Sequence, residues 1–190
     1  DEQIFIDYRE TAPAAATRDM FLNADGTVNR AKAYFSRQAA GVPGTVAGLV
    51  HAHTQYGKLP LATVIQPAID LAEQGFDTPL ALHMSLTSRA ERLVMDPEAK
   101  RIYLQGSAKA PAPGAVFKQP DLARTLQRIR DKGRDGFYQG ETAALIAADM
   151  AANDGLITTD DLAGYRALER SPVRGIFKEF EIVSVAPPSS

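Results

Sequence analysis

Apolar positions recur at helical spacing through most of the chain and at strand spacing only towards its two ends. Residues 3–8, Gln-Ile-Phe-Ile-Asp-Tyr, read as a strand of apolar and aromatic side chains. Residues 12–21 are rich in small side chains and suit a loop or short helix. Asn23-Ala24-Asp25-Gly26 spells a turn, and residues 32–40 lead to the glycine-rich Gly41-Val42-Pro43-Gly44. Thr45 can cap a helix over 46–56 that stops at Gly57. Leu61, Val64, Ile65, Ala68, Ile69 and Ala72 mark a second helix starting at Pro60, and Pro67 inside it predicts a kink or a shifted boundary. Thr78-Pro79 opens a helix carrying Leu82, Leu86 and Leu93, closed by Asp96-Pro97. A loop follows over 106–114.

Leu122, Leu126 and Ile129 define a further helix ending near Gly133, and 137–140 is an aromatic turn. Residues 142–152 are alanine-rich and helical by propensity. Thr158 with Asp161 has the spacing of a capping box for a short helix to Tyr165. The pattern then changes: 173–177 and 180–185 read as two strands joined at Lys178-Glu179. A strand, many helices and a terminal hairpin make an α+β chain, helix-rich and with an incomplete sheet. So few strands need more sheet to bury their apolar faces. Residues 1–190 are therefore read as a single domain that is part of a larger fold, with no internal repeat.

Composition narrows the functional classes. The 190 residues carry a net charge of -2 with 45% hydrophobic residues, an ordinary globular balance. No polybasic block favours nucleic acid. No apolar run approaches the ~20 residues that span a bilayer. Cysteine is absent, which removes disulfides, thiolate metal sites and a cysteine nucleophile, and fits cytoplasm and periplasm alike. The chain opens at Asp1, which suggests a processed or trimmed N-terminus.

Few residues carry candidate chemistry. Arg9 ends the first strand before a small-residue turn, where a guanidinium can hold a carboxylate with two parallel hydrogen bonds. The bland alternative pairs it with Asp7 or Glu10. His51 and His53 are two apart on a helix and diverge, so they make a poor metal pair, and His83 is isolated. Residues 41–45 could present backbone N–H groups to an anion, yet the Gly-Lys-Ser/Thr phosphate-loop signature is missing; a tight turn with close packing at Gly48 is the simpler reading. Asp160-Asp161 has a capping explanation and Glu179/Glu181 a strand-face one. Arg124, Arg128, Arg130, Lys132 and Arg134 suit a solvated helix face. Ser189-Ser190 lacks a nucleophile elbow.

Taken together, a series of segments resembles the gamma-glutamyltransferase (gamma-glutamyl transpeptidase) family, in its large subunit. They are Asp7-Tyr8-Arg9-Glu10-Thr11-Ala12-Pro13 with Ala16-Thr17-Arg18-Asp19-Met20-Phe21, then Gly41-Val42-Pro43-Gly44-Thr45-Val46-Ala47-Gly48-Leu49. Tyr56-Gly57-Lys58-Leu59-Pro60-Leu61 and Ile65-Gln66-Pro67-Ala68-Ile69 follow. Gln119-Pro120-Asp121-Leu122-Ala123, Phe137-Tyr138-Gln139-Gly140, Ile157-Thr158-Thr159-Asp160-Asp161-Leu162 and Pro187-Pro188-Ser189-Ser190 complete the series in family order.

The resemblance implies a four-layer αββα sandwich of the N-terminal-nucleophile hydrolase type, of which this chain supplies mostly outer helices. It implies a precursor that cleaves itself, and a partner small subunit whose new N-terminal Thr attacks the γ-carbonyl of glutathione-type substrates. Arg9 would grip the substrate α-carboxylate. No catalytic residue, metal ligand or cofactor is assigned to this chain, which alone would be inactive. A periplasmic or secreted location goes with the resemblance. Two alternatives stay open: an acylase of the same family acting on glutaryl-cephalosporins, and a non-catalytic module that binds an acidic small molecule. Ala186 departs from the family pattern, where a third proline is common.

Overall fold

The computed structural model describes residues 3–186; the serine pair at 189–190 and the prolines before it lie outside them. In chain order the elements are β1 (Phe5–Asp7), α1 (Arg30–Phe35), a 3-10 turn (Arg37–Ala39), α2 (Thr45–Tyr56), α3 (Leu61–Gln74), β2 (Phe76–Asp77), α4 (Leu80–Thr87), α5 (Ala90–Leu93) and α6 (Pro97–Tyr103). After them come β3 (Val116–Phe117), α7 (Pro120–Lys132), α8 (Asp135–Tyr138), α9 (Gly140–Ala152), α10 (Thr159–Gly164), β4 (Leu168–Arg170), β5 (Val173–Phe177) and β6 (Phe180–Ser184). The strands pair only as antiparallel couples, β1 with β4, β2 with β3 and β5 with β6. Helix-rich α+β with an incomplete sheet is thus the observed class. The chain divides into two compact units, Asp1–Lys58 with Gly133–Ser190, and Leu59–Lys132.

In the 59–132 unit, α3 packs along α7. A small core forms from Leu86, Leu104 and Phe117, with the Phe76 ring 5.7 Å from that of Phe117. Two expectations need correction here, at Leu93 and at Asp96-Pro97. Of the kink or shifted boundary expected at Pro67, the boundary does not shift: α3 continues through it. Pro67 is exposed, and water can serve the carbonyl that its missing N–H leaves free. The helix expected through Leu93 breaks into α4 and α5, because Ser88 Oγ and Arg89 Nη1 both donate to the Ser85 carbonyl and substitute for helical N–H groups. Asp96-Pro97 begins a helix instead of ending one: the Asp96 side chain accepts from the Ala99 N–H and Pro97 takes the first helical position of α6.

In the other unit, the core is Val42, Ala47, Tyr138, Ala143, Ile157, Leu162 and Tyr165. The capping box at Thr158–Asp161 forms as its spacing predicts. The hairpin forms too, turning at Lys178 with φ +55°. Thr45, however, is the first residue of α2 and not its cap; Gly44 holds that position. Phe137 and Tyr138 end the helical turn α8, Gln139 caps it, and α9 starts at Gly140. The sequence reading missed α1, which Asn29 caps by accepting from the Lys32 N–H at 2.9 Å. It also missed β4, which is exposed throughout and has no apolar run to mark it. Every residue of β5 and β6 is exposed, Ile176 to 84%.

Two glycines, Gly44 at the cap of α2 and Gly48 in its first turn, set how the start of the chain meets this helix. A Cβ on Gly44 would overlap the Tyr8 carbonyl oxygen and the Tyr165 hydroxyl, and one on Gly48 would overlap the Tyr8 ring. Both obstacles are held in place, the first by main chain and the second by a ring at its stem. Gly44→Ala is expected to cost about 1–3 kcal/mol in the urea-unfolding free energy of the whole protein. Gly164→Ala places its Cβ in open space and is expected to stay within about 0.5 kcal/mol of wild type. Equal effects at the two positions would show that the close approach at Gly44 is not what limits it.

Candidate functional site

The strand-end segment 7–11 and the glycine-rich segment 41–45 are brought together by a two-way bridge. The Thr11 N–H donates to the Val42 carbonyl at 3.3 Å and the Val42 N–H returns to Thr11 at 2.8 Å. Between them lies a cavity of about 600 Å³ whose wall includes Tyr8, Arg9, Glu10, Pro43, Gly44 and Thr45. Arg9 therefore shares one pocket with the start of α2, where the helix dipole favours negative charge. The sequence reading treated these two features separately.

The Arg9 side chain is 42% exposed, with Nη2 3.6 Å from Glu10 Oε1. Asp7 does not pair with that guanidinium. One of its carboxylate oxygens accepts the Arg9 main-chain N–H at 3.2 Å, and the other accepts Arg170 Nε at 2.7 Å. Asp7 thus fixes the backbone of Arg9 while Arg170, on the paired strand β4, takes its charge.

Two tyrosines that were not singled out from the sequence hold this wall from behind. Tyr165 Oη donates to the Arg9 carbonyl at 2.7 Å. Tyr138 Oη donates to the Pro43 carbonyl at 2.6 Å and accepts the Ala47 N–H at 3.2 Å. Their rings stack with centroids 5.7 Å apart and planes 7° from parallel. Burial raises the Tyr165 hydroxyl to about 12, helped by Tyr138, Asp7 and Glu10 nearby. Burial likewise moves the Tyr138 hydroxyl up. Both therefore stay protonated and able to donate. The separation of 27 positions between the tyrosines hides their relation from any periodic pattern.

Arg134 corrects another expectation. It is not part of a solvated cationic face: its guanidinium lies 4.8 Å from the centre of the Tyr138 ring, and Nη2 donates to the carbonyls of Ala163 and Tyr165 at 2.8 and 2.7 Å. It closes the C-terminal end of α10 and backs the tyrosine pair. Several of the remaining candidates have structural partners. His51 Nε2 is 2.8 Å from Glu169 Oε1, and His83 Nδ1 is 2.8 Å from the Pro111 carbonyl. Glu181 pairs with Arg174 at 2.8 Å. Asp161 Oδ2 serves the capping box and Oδ1 accepts the Ala14 N–H at 2.8 Å, which ties the small-residue turn to α10. Among the described residues no group of His, Cys, Asp or Glu could hold a metal, and no helix is long and apolar enough to cross a membrane.

Comparison with known proteins places this geometry. A family model described as gamma-glutamyltranspeptidase matches residues 1–190. The glutathione hydrolase proenzyme of Escherichia coli (strain K12) is 41% identical over 97% of this chain and 32% of its own length. The acylase ACY 1 proenzyme of Pseudomonas sp. (strain SE83) is 38% identical over 98% of this chain and 34% of its own. The crystal structure of Helicobacter pylori gamma-glutamyltranspeptidase superposes with a TM-score of 0.96 at 40% identity, over 99% of this chain and 54% of that one. The fold is thus a part of the N-terminal-nucleophile hydrolase sandwich, its sheet incomplete. The chain belongs to the gamma-glutamyltranspeptidase family. It spans about a third of the length of the curated relatives it matches.

The carboxylates that anchor the wall make its integrity pH-dependent. Arg170, then the Arg9 N–H, hold the Asp7 carboxyl below its usual range. Partial burial pulls Asp161 upward, but the hydrogen bonds from Thr158 and Ala14 outweigh it and leave a net lowering. A lowered folded pKa stabilises fully above the unfolded value of about 4 and is lost as pH falls through the folded value. Acid unfolding of the whole protein should therefore steepen below about pH 4. Asp7→Asn should be less stable at pH 7 and show a flatter acid limb; an unchanged limb would remove Asp7 from this account.

Proposed function

We propose that this chain is the large-subunit part of an enzyme that transfers or hydrolyses γ-glutamyl groups. The observation that carries the reading is Arg9 on the wall of the 600 Å³ cavity, within a chain matched to the family from end to end. Arg9 grips the substrate α-carboxylate with its planar fork, and the start of α2 adds favourable potential on the same wall. Glu10, beside Arg9, keeps the guanidinium at the cavity wall when substrate is absent.

The nucleophile comes from the rest of the protein, a small subunit released by self-cleavage with Thr at its N-terminus. The Thr hydroxyl attacks the γ-carbonyl and its proton passes to the Thr α-amine. The carbonyl carbon then loses the amine of the donor, which takes up that proton, and a γ-glutamyl ester remains on the enzyme. Water, or the amine of an amino acid or peptide, takes the acyl group and restores the Thr. Binding the remote carboxylate positions the reacting carbonyl, so the arginine contributes to rate through alignment. A periplasmic or secreted location accompanies the reading on the family resemblance alone. A second reading has specific support: a relative named as an acylase matches nearly the whole chain. The same arginine would hold the terminal carboxylate of a glutaryl group.

Two measurements test the proposal on the full-length protein. Mass spectrometry of the purified protein should find a second chain that begins with Thr; an intact, uncleaved polypeptide with full activity would sink the mechanism. Arg9→Ala should cost about 2–5 kcal/mol in kcat/KM for γ-glutamyl substrates, mostly in KM. Arg9→Lys, which keeps charge and loses the fork, should recover only part of that. An unchanged KM in Arg9→Ala would show that Arg9 does not bind the substrate. A glutaryl amide turned over faster than γ-glutamyl substrates would favour the acylase reading.

A further inference from the structure

We infer that the stacked Tyr138–Tyr165 pair is a positioning device for substrate recognition, setting where Arg9 stands relative to the start of α2. The inference rests on the reading of Arg9 as the carboxylate clamp. The two sides of the cavity belong to segments far apart in sequence, and each offers a main-chain carbonyl to one tyrosine. Tyr165 holds the Arg9 carbonyl at 2.7 Å, and Tyr138 holds the Pro43 carbonyl at 2.6 Å. The rings stack 7° from parallel with centroids 5.7 Å apart, so the spacing of the two carbonyls follows the packing of one ring on the other. Both tyrosines are at most 5% exposed, so the pair has little room to reorient.

Three further contacts make the arrangement specific. Arg134 covers the Tyr138 ring and donates to the Tyr165 carbonyl, which ties it to both members of the pair. The Ala47 N–H donates to Tyr138 Oη, so the first turn of α2 is registered to the same ring. Gly44, which has no side chain, lets the Tyr165 hydroxyl pass to Arg9. Neither tyrosine is among the residues lining the cavity, so each acts through the residue it holds. Displacing the Arg9 backbone by part of an ångström would misalign a two-bond fork, and that would be felt only by substrates that carry the carboxylate.

The test is Tyr165→Phe in the full-length, processed enzyme, which removes one oxygen and keeps the ring stack. Kinetics are measured with a γ-glutamyl anilide and with its α-carboxamide analogue, which lacks the negative charge. KM for the carboxylate substrate should rise about three- to tenfold, the size expected for one lost hydrogen bond. Its kcat and the KM of the amide should hold, so discrimination between the two substrates narrows. Tyr138→Phe, which frees Pro43 and Ala47 but leaves the Arg9 bond, should shift the ratio in the same direction and serves if Tyr165→Phe does not fold. Thermal unfolding is recorded for each variant. A lowered melting temperature with an unchanged substrate ratio, or equal losses on both substrates, would overturn the positioning role. Arg9→Ala separates the two levels. If it abolishes discrimination while both tyrosine variants keep it, only this inference falls. If it leaves discrimination intact, the clamp reading falls and this inference with it.

Discussion

Tyr138 and Tyr165 lie ring on ring, and each gives its hydroxyl to a main-chain carbonyl on a different wall of the cavity. The remainder of this unit is arranged so that those bonds can form. Gly44 leaves room for one hydroxyl, Arg134 sits over one ring, and Asp7 pins the residue whose carbonyl Tyr165 takes. A buried phenol with no acceptor is costly, so each ring constrains its partner segment as firmly as the segment constrains the ring. The fold places an exposed, charged side chain on buried tyrosine hydrogen bonds that Asp7 and Arg134 brace.

Legibility differed by the range of the interaction involved. The capping box at Thr158–Asp161 and the hairpin about Lys178 depend on neighbours three or four residues apart, and both were read correctly. The breaks at Ser88–Arg89 and Asp96 are local as well, but their signals are ambiguous. An Asp-Pro step can stop one helix or start the next, and only the following residues show which. At Pro67 the helix keeps its boundary, because a proline on a wet helix face is tolerated where one in a core is not.

The candidate site was legible only in its protruding residue. Arg9 carries chemistry that can be named from residue type, and the resemblance gave it a role. Its supports cannot be found this way: Tyr165 is 156 residues from Arg9, and Arg134 stood in the sequence beside cations such as Arg124 and Lys132 that do face solvent. Nothing in residue type separates a tyrosine that buries its hydroxyl on a carbonyl from one that exposes it. Asp161 is an intermediate case. Its capping role was visible, while its second oxygen, on Ala14, became visible only once the chain had folded back.

The contact of Tyr8 with α2 also has a genetic meaning. Gly44 and Gly48 are each limited by the same residue, one through its carbonyl and the other through its ring. The fitness of a substitution at position 48 is then not a property of that position. It depends on which side chain stands at 8, and a change tolerated in one background is deleterious in another. Diversification along this seam has to proceed by paired substitutions, so lineages that once changed Tyr8 would find the way back closed by the side chains they had since accepted on the helix.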